Sequence, residues 1–221
     1  MTKTKFMKIL KLVILISGNG SNLQAIIDAI HNDKLQAKIG LVISDREEAY
    51  GLQRAKKANI PYEILSAKLF ANRQDYDLAL AKLIEIEQPD LIVLAGFMRV
   101  LSPEFVQQFA GRIINIHPSL LPSYPGLNTH QRVLTKQDKE HGCSIHFVTE
   151  EVDGGPIIAR ASLCVLPDDT LNTLQQRIYG LEHQLYPLVL SWFSAGRILL
   201  TSAGITLDNQ LLPSEGQQIK F

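Results

Sequence analysis

The feature that most constrains the fold is the alternation of apolar runs with amphipathic segments through the first half of the chain. Residues 12–16 are a continuous run of β-prone side chains, which is typical of a strand buried in a parallel sheet. Further apolar runs at 39–44, 91–94 and 113–117 are separated by helical patterns, most clearly at 75–87. Strands that alternate with helices predict an α/β fold, a doubly wound and mostly parallel sheet with helices on both faces.

The second half of the chain has a different pattern. Residues 144–148 and 157–166 are predicted to be longer strands, and the turn between them contains two glycines and a proline. We therefore expect an antiparallel part in this region. Residues 170–193 predict one long helix with an internal proline, and residues 198–212 predict a hairpin.

Composition narrows the functional classes. The chain has 22 basic and 22 acidic side chains and no net charge, which argues against a nucleic-acid binder that uses a broad basic surface. No apolar run reaches transmembrane length, and two cysteines fit a reduced, cytoplasmic protein with free thiols. We find no linker or repeat and expect one domain, residues 1–221, with residues 1–7 and 213–221 poorly ordered.

A glycine-containing loop follows the first predicted strand. Residues 17–22 read Ser-Gly-Asn-Gly-Ser-Asn and lead into a predicted helix. Glycine lets backbone N–H groups approach an anion, and the free amides and dipole at a helix start favour a phosphate. The loop therefore predicts a phosphate site, with an ordinary turn and helix cap as the alternative. Leu23 replaces the third glycine of a dinucleotide fingerprint, although Asp45 keeps a ribose-binding interpretation open.

Two polar side chains end the predicted strand at 113–117. Asn115 and His117 alternate with apolar residues, so both point to the same side at the strand's carboxyl end, where open α/β sheets bind ligands. An amide can hydrogen-bond a developing oxyanion and an imidazole can donate a proton, which suits chemistry on a carbonyl. Taken singly, each residue is explained as well by a structural role. Asp153 would raise the pKa of His117 if it lay nearby, but a plain Asp-Gly turn explains it too.

Other catalytic patterns have little support. The remaining histidines do not pair with another ligand at a metal-binding spacing, so we expect no metal. No serine lies in a G-x-S-x-G elbow, and no G-K-[ST] motif is present, which argues against a hydrolase triad and a P-loop nucleotidase.

Four motifs occur together and in order: SGNGSN at 17–22, AGFMRVLSP at 95–103, NIHPSLLPSYPG at 115–126 and DGGP at 153–156. This combination resembles the phosphoribosylglycinamide formyltransferases, folate-dependent enzymes of purine synthesis, from about Leu12 to Gly196. The resemblance implies a Rossmann-like fold and transfer of a formyl group from 10-formyltetrahydrofolate, as co-substrate, to the amine of phosphoribosylglycinamide. It also implies small-molecule substrates, no membrane or nucleic-acid partner, and a cytoplasmic monomer or homodimer.

The resemblance further implies roles for the matching residues. Asn115 and His117 would stabilise the tetrahedral oxyanion, with His117 as proton donor, and Asp153 would raise the pKa of His117. Contacts to phosphoribosylglycinamide fall on Gly20, Ser21, Asn22 and Glu182. Contacts to the folate fall on Arg73, Met98, Arg99, Val100, Leu101 and Asn115. Ser123 and Asn128 depart from the basic residue and the histidine seen in relatives, which puts local substrate contacts in doubt.

Three competing interpretations stay open. Methionyl-tRNA formyltransferase shares the Asn-x-His and Ser-Leu-Leu-Pro pattern, but its extra C-terminal domain is not expected in the residues after Gly196. Formyltetrahydrofolate hydrolase shares Asn115, His117 and Asp153 but has an N-terminal regulatory domain, whereas the first strand is expected almost at once here. A non-catalytic nucleotide-binding module would use the glycine loop and leave those three residues without a function.

Overall fold

Two sheets organise the computed structural model, which describes residues 9–221. The strands are β1 (Leu10–Ile16), β2 (Ala37–Ser44), β3 (Tyr62–Ile64), β4 (Leu91–Leu94), β5 (Ile113–His117), β6 (Glu140–Phe147), β7 (Ile157–Cys164), β8 (Ile198–Thr201), β9 (Gly204–Leu207), β10 (Gln210–Leu211) and β11 (Gln217–Ile219). The helices are α1 (Ser21–His31), α2 (Tyr50–Lys57), α3 (Arg73–Glu87), α4 (Pro103–Gln108), α5 (Thr129–Lys136) and α6 (Leu171–Ser194), with one 3₁₀ turn, Ala67–Leu69.

Within the described residues, the larger sheet has eight strands in the order β11-β7-β6-β5-β4-β1-β2-β3. The five strands β3, β2, β1, β4 and β5 are parallel to one another, as the alternating pattern predicts. Strand β6 runs antiparallel to both β5 and β7, which confirms the predicted antiparallel part. Parallel strands end at one edge of the sheet, so the loops after β1, β4 and β5 lie close together there.

The central strand β1 is buried on both faces, which explains its unbroken apolar sequence. Leu12, Ile14 and Ile16 pack in one core cluster that includes residues of α1 and α6. Val13 and Leu15 pack in the other, which includes residues of α3 and α4. The helices on both faces confirm the doubly wound architecture.

Helix α6 lies across one face of the sheet and begins where the sequence predicts. Thr170 caps it, and the Thr170 and Thr173 side chains and backbones form a reciprocal capping box. The helix continues through the internal Pro187. The buried Tyr186 hydroxyl is 2.9 Å from the Leu94 carbonyl, to which it donates a hydrogen bond, so the helix is fixed over the ends of the central strands.

The structure corrects the sequence prediction at the C-terminus. Residues 213–221 were expected to be poorly ordered, but Gln217–Ile219 forms β11 and pairs in parallel with β7. Backbone hydrogen bonds along the exposed edge of β7 order this polar segment, and side-chain patterning gives no sign of them. Helix α5 is likewise absent from the sequence prediction. The expectation for residues 1–7 falls outside the described residues, and no helix from residue 9 onward is apolar and long enough to cross a membrane.

Candidate active site

A cavity of about 590 Å³ opens at the carboxyl ends of β4 and β5. It brings together most of the residues that the sequence singles out: Asn22, Met98, Arg99, Val100, Leu101, Asn115, His117, Asp153 and Glu182. These side chains come from α1, from the loops after β4 and β6, from β5 itself and from α6. The cavity therefore lies at the sheet edge where ligands of open α/β folds bind.

The pairing of β5 with β6 places His146, which the sequence analysis did not single out, beside Asn115. Asn115 lies opposite His146 in the antiparallel register, and its Nδ2 is 3.2 Å from His146 Nε2. His146 Nδ1 donates to the carbonyl oxygen of Phe147 at 2.9 Å, and Nε2 lies between the Asn115 amide and Oδ1 of Asp153. The buried His146 thus fixes the orientation of the Asn115 amide. One amide hydrogen of Asn115 remains for a ligand.

His117 is buried and both of its ring nitrogens face oxygen atoms. Nε2 is 2.9 Å from the carbonyl oxygen of Tyr124, and Nδ1 is 3.4 Å from Oδ2 of Asp153. Burial lowers the pKa of His117 below its ordinary value, although the Tyr124 carbonyl and the Asp153 carboxylate both act to raise it. Asp153 therefore acts in the direction expected from the sequence, but the loss of hydration is the larger effect.

Asp153 belongs to the loop between β6 and β7 and links three parts of the site. Its Oδ2 accepts a hydrogen bond of 2.8 Å from the Gly126 amide, and its Oδ1 lies 3.6 Å from His146 Nε2. Burial pushes the pKa of Asp153 up, but the contacts with His146, Gly126 and His117 together outweigh it and hold the pKa below its usual value. Asp153 is therefore ionised at neutral pH and provides a fixed negative charge beside His117.

Two buried polar residues form the opposite side of the cavity. Asn22 Nδ2 donates a 2.8 Å hydrogen bond to Oε2 of Glu182, which is only 3% exposed. Burial raises the pKa of Glu182 to about 7, and the Asn22 hydrogen bond only partly offsets this. The Asn22 Oδ1 atom is buried and has no hydrogen-bond partner. Because buried polar atoms are rarely left unpaired, this pair is suited to hydroxyl groups of a ligand.

The glycine loop has the geometry of an anion site. Gly20 precedes α1 with φ of +72°, and a Cβ there would come within 2.6 Å of the Gly51 Cα. No side chain caps the helix, and the first helical hydrogen bond runs from the Gln24 amide to the Gly20 carbonyl, so the preceding amides are free of helical bonds. Ser21 lines a neighbouring cavity of about 650 Å³ rather than the first one, and Gly20 lines neither.

The segment after β4, Met98 to Leu101, forms the third side of the cavity. Met98 is 62% exposed and Val100 is 54% exposed. The Met98 amide donates a 2.9 Å hydrogen bond to the Ser17 hydroxyl, which ties this segment to the glycine loop. The Arg99 guanidinium lies 4.4 Å from the centre of the Tyr76 ring, a residue of α3. An apolar ligand face would therefore meet Met98 and Val100.

Arg73 lies behind this segment and does not line the cavity. Its guanidinium donates a hydrogen bond to the Leu101 carbonyl, and its Nε is 3.8 Å from the Asp77 carboxylate. Asp77 in turn accepts a 2.7 Å hydrogen bond from the Ser102 amide. Arg73 is thus the one predicted folate contact that lies apart from the others. Its contact with a ligand stays a prediction.

Two further buried histidines were missed as a pair because they come from α5 and β6. His130 lines the cavity, and its Nδ1 is 2.9 Å from Nε2 of His141. Burial lowers the pKa of both, that of His141 to about 4, so both are neutral at neutral pH and share one N–H between them. Among residues 9–221 no group of three or more His, Cys, Asp or Glu residues is placed to hold a metal ion.

The chain is similar over most of its length to known formyl transferases. The formyl transferase family model matches residues 10–190. The phosphoribosylglycinamide formyltransferase of Escherichia coli is 49% identical over 207 residues, which are 94% of this chain and 98% of that protein. The solved structure of the Coxiella burnetii phosphoribosylglycinamide formyltransferase has a TM-score of 0.93 at 50% identity and covers 96% of this chain and 100% of its own.

A structure of different activity shares the fold. A formyltetrahydrofolate deformylase from Pseudomonas syringae has a TM-score of 0.84 at 25% identity, and the match covers 90% of this chain and 66% of that one. The shared fold therefore does not separate transfer from hydrolysis, whereas the two relatives of much higher identity are both transferases. From the family match and these relatives, the chain belongs to the formyl transferase family.

Proposed function

We propose that this enzyme transfers the formyl group of 10-formyltetrahydrofolate to the amine of phosphoribosylglycinamide, giving the N-formyl product and tetrahydrofolate in de novo purine synthesis. The observation that carries the proposal is one cavity that joins Asn115, His117 and Asp153 to the buried Asn22–Glu182 pair. The first group suits a formyl carbonyl, and the second suits a polar acceptor molecule. The relatives of high identity are named for this reaction.

The reaction places charge where the site has donors. The amine attacks the formyl carbon, a new C–N bond forms, and negative charge develops on the formyl oxygen. The free amide hydrogen of Asn115 and the protonated His117 stabilise that oxygen. His117 Nε2–H is directed at the Tyr124 carbonyl, so donation to the substrate means that the formyl oxygen replaces this carbonyl as acceptor.

The intermediate then collapses by breaking its bond to the folate nitrogen. The attacking amine loses a proton and the leaving nitrogen gains one, so the proton count balances. Asp153 keeps a negative charge beside the imidazole and favours its protonated form against the cost of burial. It also helps to position a water molecule that relays the proton between the two nitrogen atoms.

The two substrates occupy different sides of the cavity. The phosphate binds at the glycine loop, where Gly20, Ser21 and Asn22 supply backbone amides, and Glu182 contacts the ribose hydroxyls. The pterin of the folate lies against Met98, Val100 and the backbone of this segment. Holding both molecules together makes the attack effectively unimolecular, which accounts for much of the rate enhancement.

The remaining parts of the proposal follow from this chemistry. The folate is a co-substrate, and a metal ion is not required because Asn115 and His117 supply the electrophilic assistance. No nucleic acid or membrane takes part. We assign the enzyme to the cytoplasm, where purine synthesis takes place, as a monomer or homodimer.

An absorbance assay of folate deformylation, with and without phosphoribosylglycinamide, tests the proposal. We expect turnover only when the acceptor is present. Equal turnover without the acceptor would show a hydrolase, the activity for which the Pseudomonas structure of the same fold is named. Tight binding of a nucleotide without turnover of the folate would contradict both enzymatic functions and point to a binding module.

A further inference from the structure

Arg54 of α2 holds the glycine loop by a forked set of hydrogen bonds. Its Nε donates to the Asn19 carbonyl at 2.9 Å, and one terminal nitrogen donates to the Asn19 side-chain oxygen at 3.0 Å. The other terminal nitrogen donates to the Gln24 side chain on α1 at 3.2 Å. One guanidinium therefore fixes both the backbone and the side chain of a loop residue relative to the helix that follows.

The rest of α2 brings Arg54 into place. The Gly51 amide donates a 3.1 Å hydrogen bond to the Gly18 carbonyl, so the first turn of α2 lies directly against the loop. The Arg54 guanidinium lies 4.9 Å from the centre of the Tyr50 ring, which restricts its rotation. Tyr50 and Arg54 are one helical turn apart, as this contact requires.

The charge of Arg54 is also available to an anion. No carboxylate forms an ion pair with Arg54 in the part of the chain from residue 9 to residue 221. Arg54 lines the same 650 Å³ cavity as Ser21, at the start of α1. His183 of α6 lines this cavity too, and its pKa is lowered by burial and, to a smaller extent, by the positive charge of Arg54.

We infer that Arg54 is a positioning residue for the acceptor phosphate, because it holds Asn19 and hence the backbone amides after Gly20 in their binding geometry. The inference rests on the proposed phosphate site of phosphoribosylglycinamide. Arg54 acts through the loop. It does not line the 590 Å³ cavity that contains Met98 and Val100, so it has no contact with the side proposed for the folate. Its loss therefore weakens acceptor binding and leaves the folate and the chemical step unaffected.

The test compares steady-state kinetics of wild type, R54Q, R54K and the control K56Q. Lys56 is exposed on the same helix, so its substitution removes the same charge without touching the loop. We expect R54Q to raise the acceptor KM about ten-fold or more, with kcat and the folate KM within about two-fold of wild type. R54K should recover only part of this, because an ammonium keeps the charge but cannot form the fork.

A double-mutant cycle with N19A tests the route through the loop. If Arg54 acts by holding Asn19, R54Q/N19A should have an acceptor KM within about two-fold of that of R54Q alone. The inference would be overturned if the effects of R54Q and N19A on the acceptor KM multiplied in the double mutant. It would also be overturned if R54K had the kinetics of wild type, or if R54Q raised the acceptor and folate KM values equally. Wild type that neither binds nor formylates phosphoribosylglycinamide would instead overturn the proposed function, and this is measured before any variant.

Discussion

On the side of the cavity proposed for the acceptor, Asn22 and Glu182 are buried and joined by a 2.8 Å hydrogen bond, whereas on the side proposed for the folate Met98 and Val100 are more than half exposed. The first side offers two buried polar side chains, and the Asn22 Oδ1 atom has no hydrogen-bond partner there. The second offers apolar surface on a segment whose backbone is tied to Ser17. We therefore expect the two sides to bind their ligands by different interactions, hydrogen bonds on the first and apolar contacts on the second.

This difference predicts how each side responds to substitution. Removing one partner of a buried polar pair leaves the other unpaired and costs more than the contact itself contributes. Truncating an exposed apolar side chain loses only the area that a ligand would cover. Between the two sides lie Asn115, His117, His146 and Asp153, where we expect substitution to affect the chemical step rather than binding.

The largest expected effect is that of H117A, at the centre between the two sides. Loss of the proton donor should lower kcat by about 10² to 10⁴-fold. Both KM values should change little, because neither substrate is held mainly by the imidazole. Stopped-flow or steady-state rates at saturating substrates measure this, and H31A is the matched control because His31 is an exposed helix residue. A kcat for H117A within ten-fold of wild type would remove His117 from the mechanism.

The second expected effect is a change of pH dependence in D153N. Asp153 raises the pKa of His117 against burial, so its neutral replacement lets that pKa fall further. The protonated fraction of His117 is then smaller at neutral pH and recovers as the pH falls. We expect D153N to lose kcat by orders of magnitude at about pH 8 and to recover part of the loss towards about pH 6. A D153N profile parallel to that of wild type, or a full rate at neutral pH, would refute this role.

The third prediction concerns the stability of the acceptor side. Glu182 has a pKa of about 7 in the folded protein and its lower, ordinary pKa in the unfolded chain. At pH values between the two, this carboxyl group is protonated in the folded state and ionised in the unfolded state. Stability is therefore highest below the unfolded pKa and falls as the pH rises to about 7, by up to about 3 kcal/mol. E182Q, which stays neutral, should lack this decline.

Urea unfolding at several pH values measures the effect, with E151Q as control, since Glu151 is an exposed carboxylate of the same cavity. If wild type and E182Q lose stability in parallel across this range, Glu182 does not carry the proton. In the same variants, E182Q should also raise the acceptor KM while the folate KM stays unchanged.

The smallest expected effect is that of M98A on the folate side. Truncation removes part of an apolar surface that the folate covers, so the folate KM should rise about three- to ten-fold. The acceptor KM and kcat should not change. L69A is the control, because Leu69 is 77% exposed and does not line the cavity. An M98A variant whose acceptor KM rises more than its folate KM would reverse the assignment of the two sides.

The parts of the site that sequence could predict are those set by local geometry. The alternation of β5 places Asn115 and His117 on one side, and the glycine loop follows directly from the residues between β1 and α1. Asp153 was a candidate from its place before the Gly-Gly turn, but its pairing with His117 and the role of Glu182 were assigned through the family resemblance. The chain folds back over long separations to bring these residues close, which local patterns do not specify. The parallel half of the fold was predictable for the same local reason, since each strand is followed by its own helix.

The parts that sequence could not predict depend on register and burial. His146 faces Asn115 only because β5 and β6 pair in one particular register, which the residue pattern does not specify. The pKa of His117 depends on its burial as well as on its charged neighbour. Naming Asp153 as the partner predicted an effect that raises this pKa, but the larger, lowering effect of burial follows only from the fold. Strand β11 was missed because its polar residues are ordered by backbone pairing with β7.

The most direct test of the central claim follows the formyl group itself. Wild-type enzyme is given 10-formyltetrahydrofolate with an isotopically labelled formyl carbon and an equimolar amount of phosphoribosylglycinamide, and the products are separated by mass spectrometry. We expect the label on the glycinamide nitrogen, in step with the formation of tetrahydrofolate. Label recovered as free formate, at a rate that does not depend on the acceptor, would contradict it.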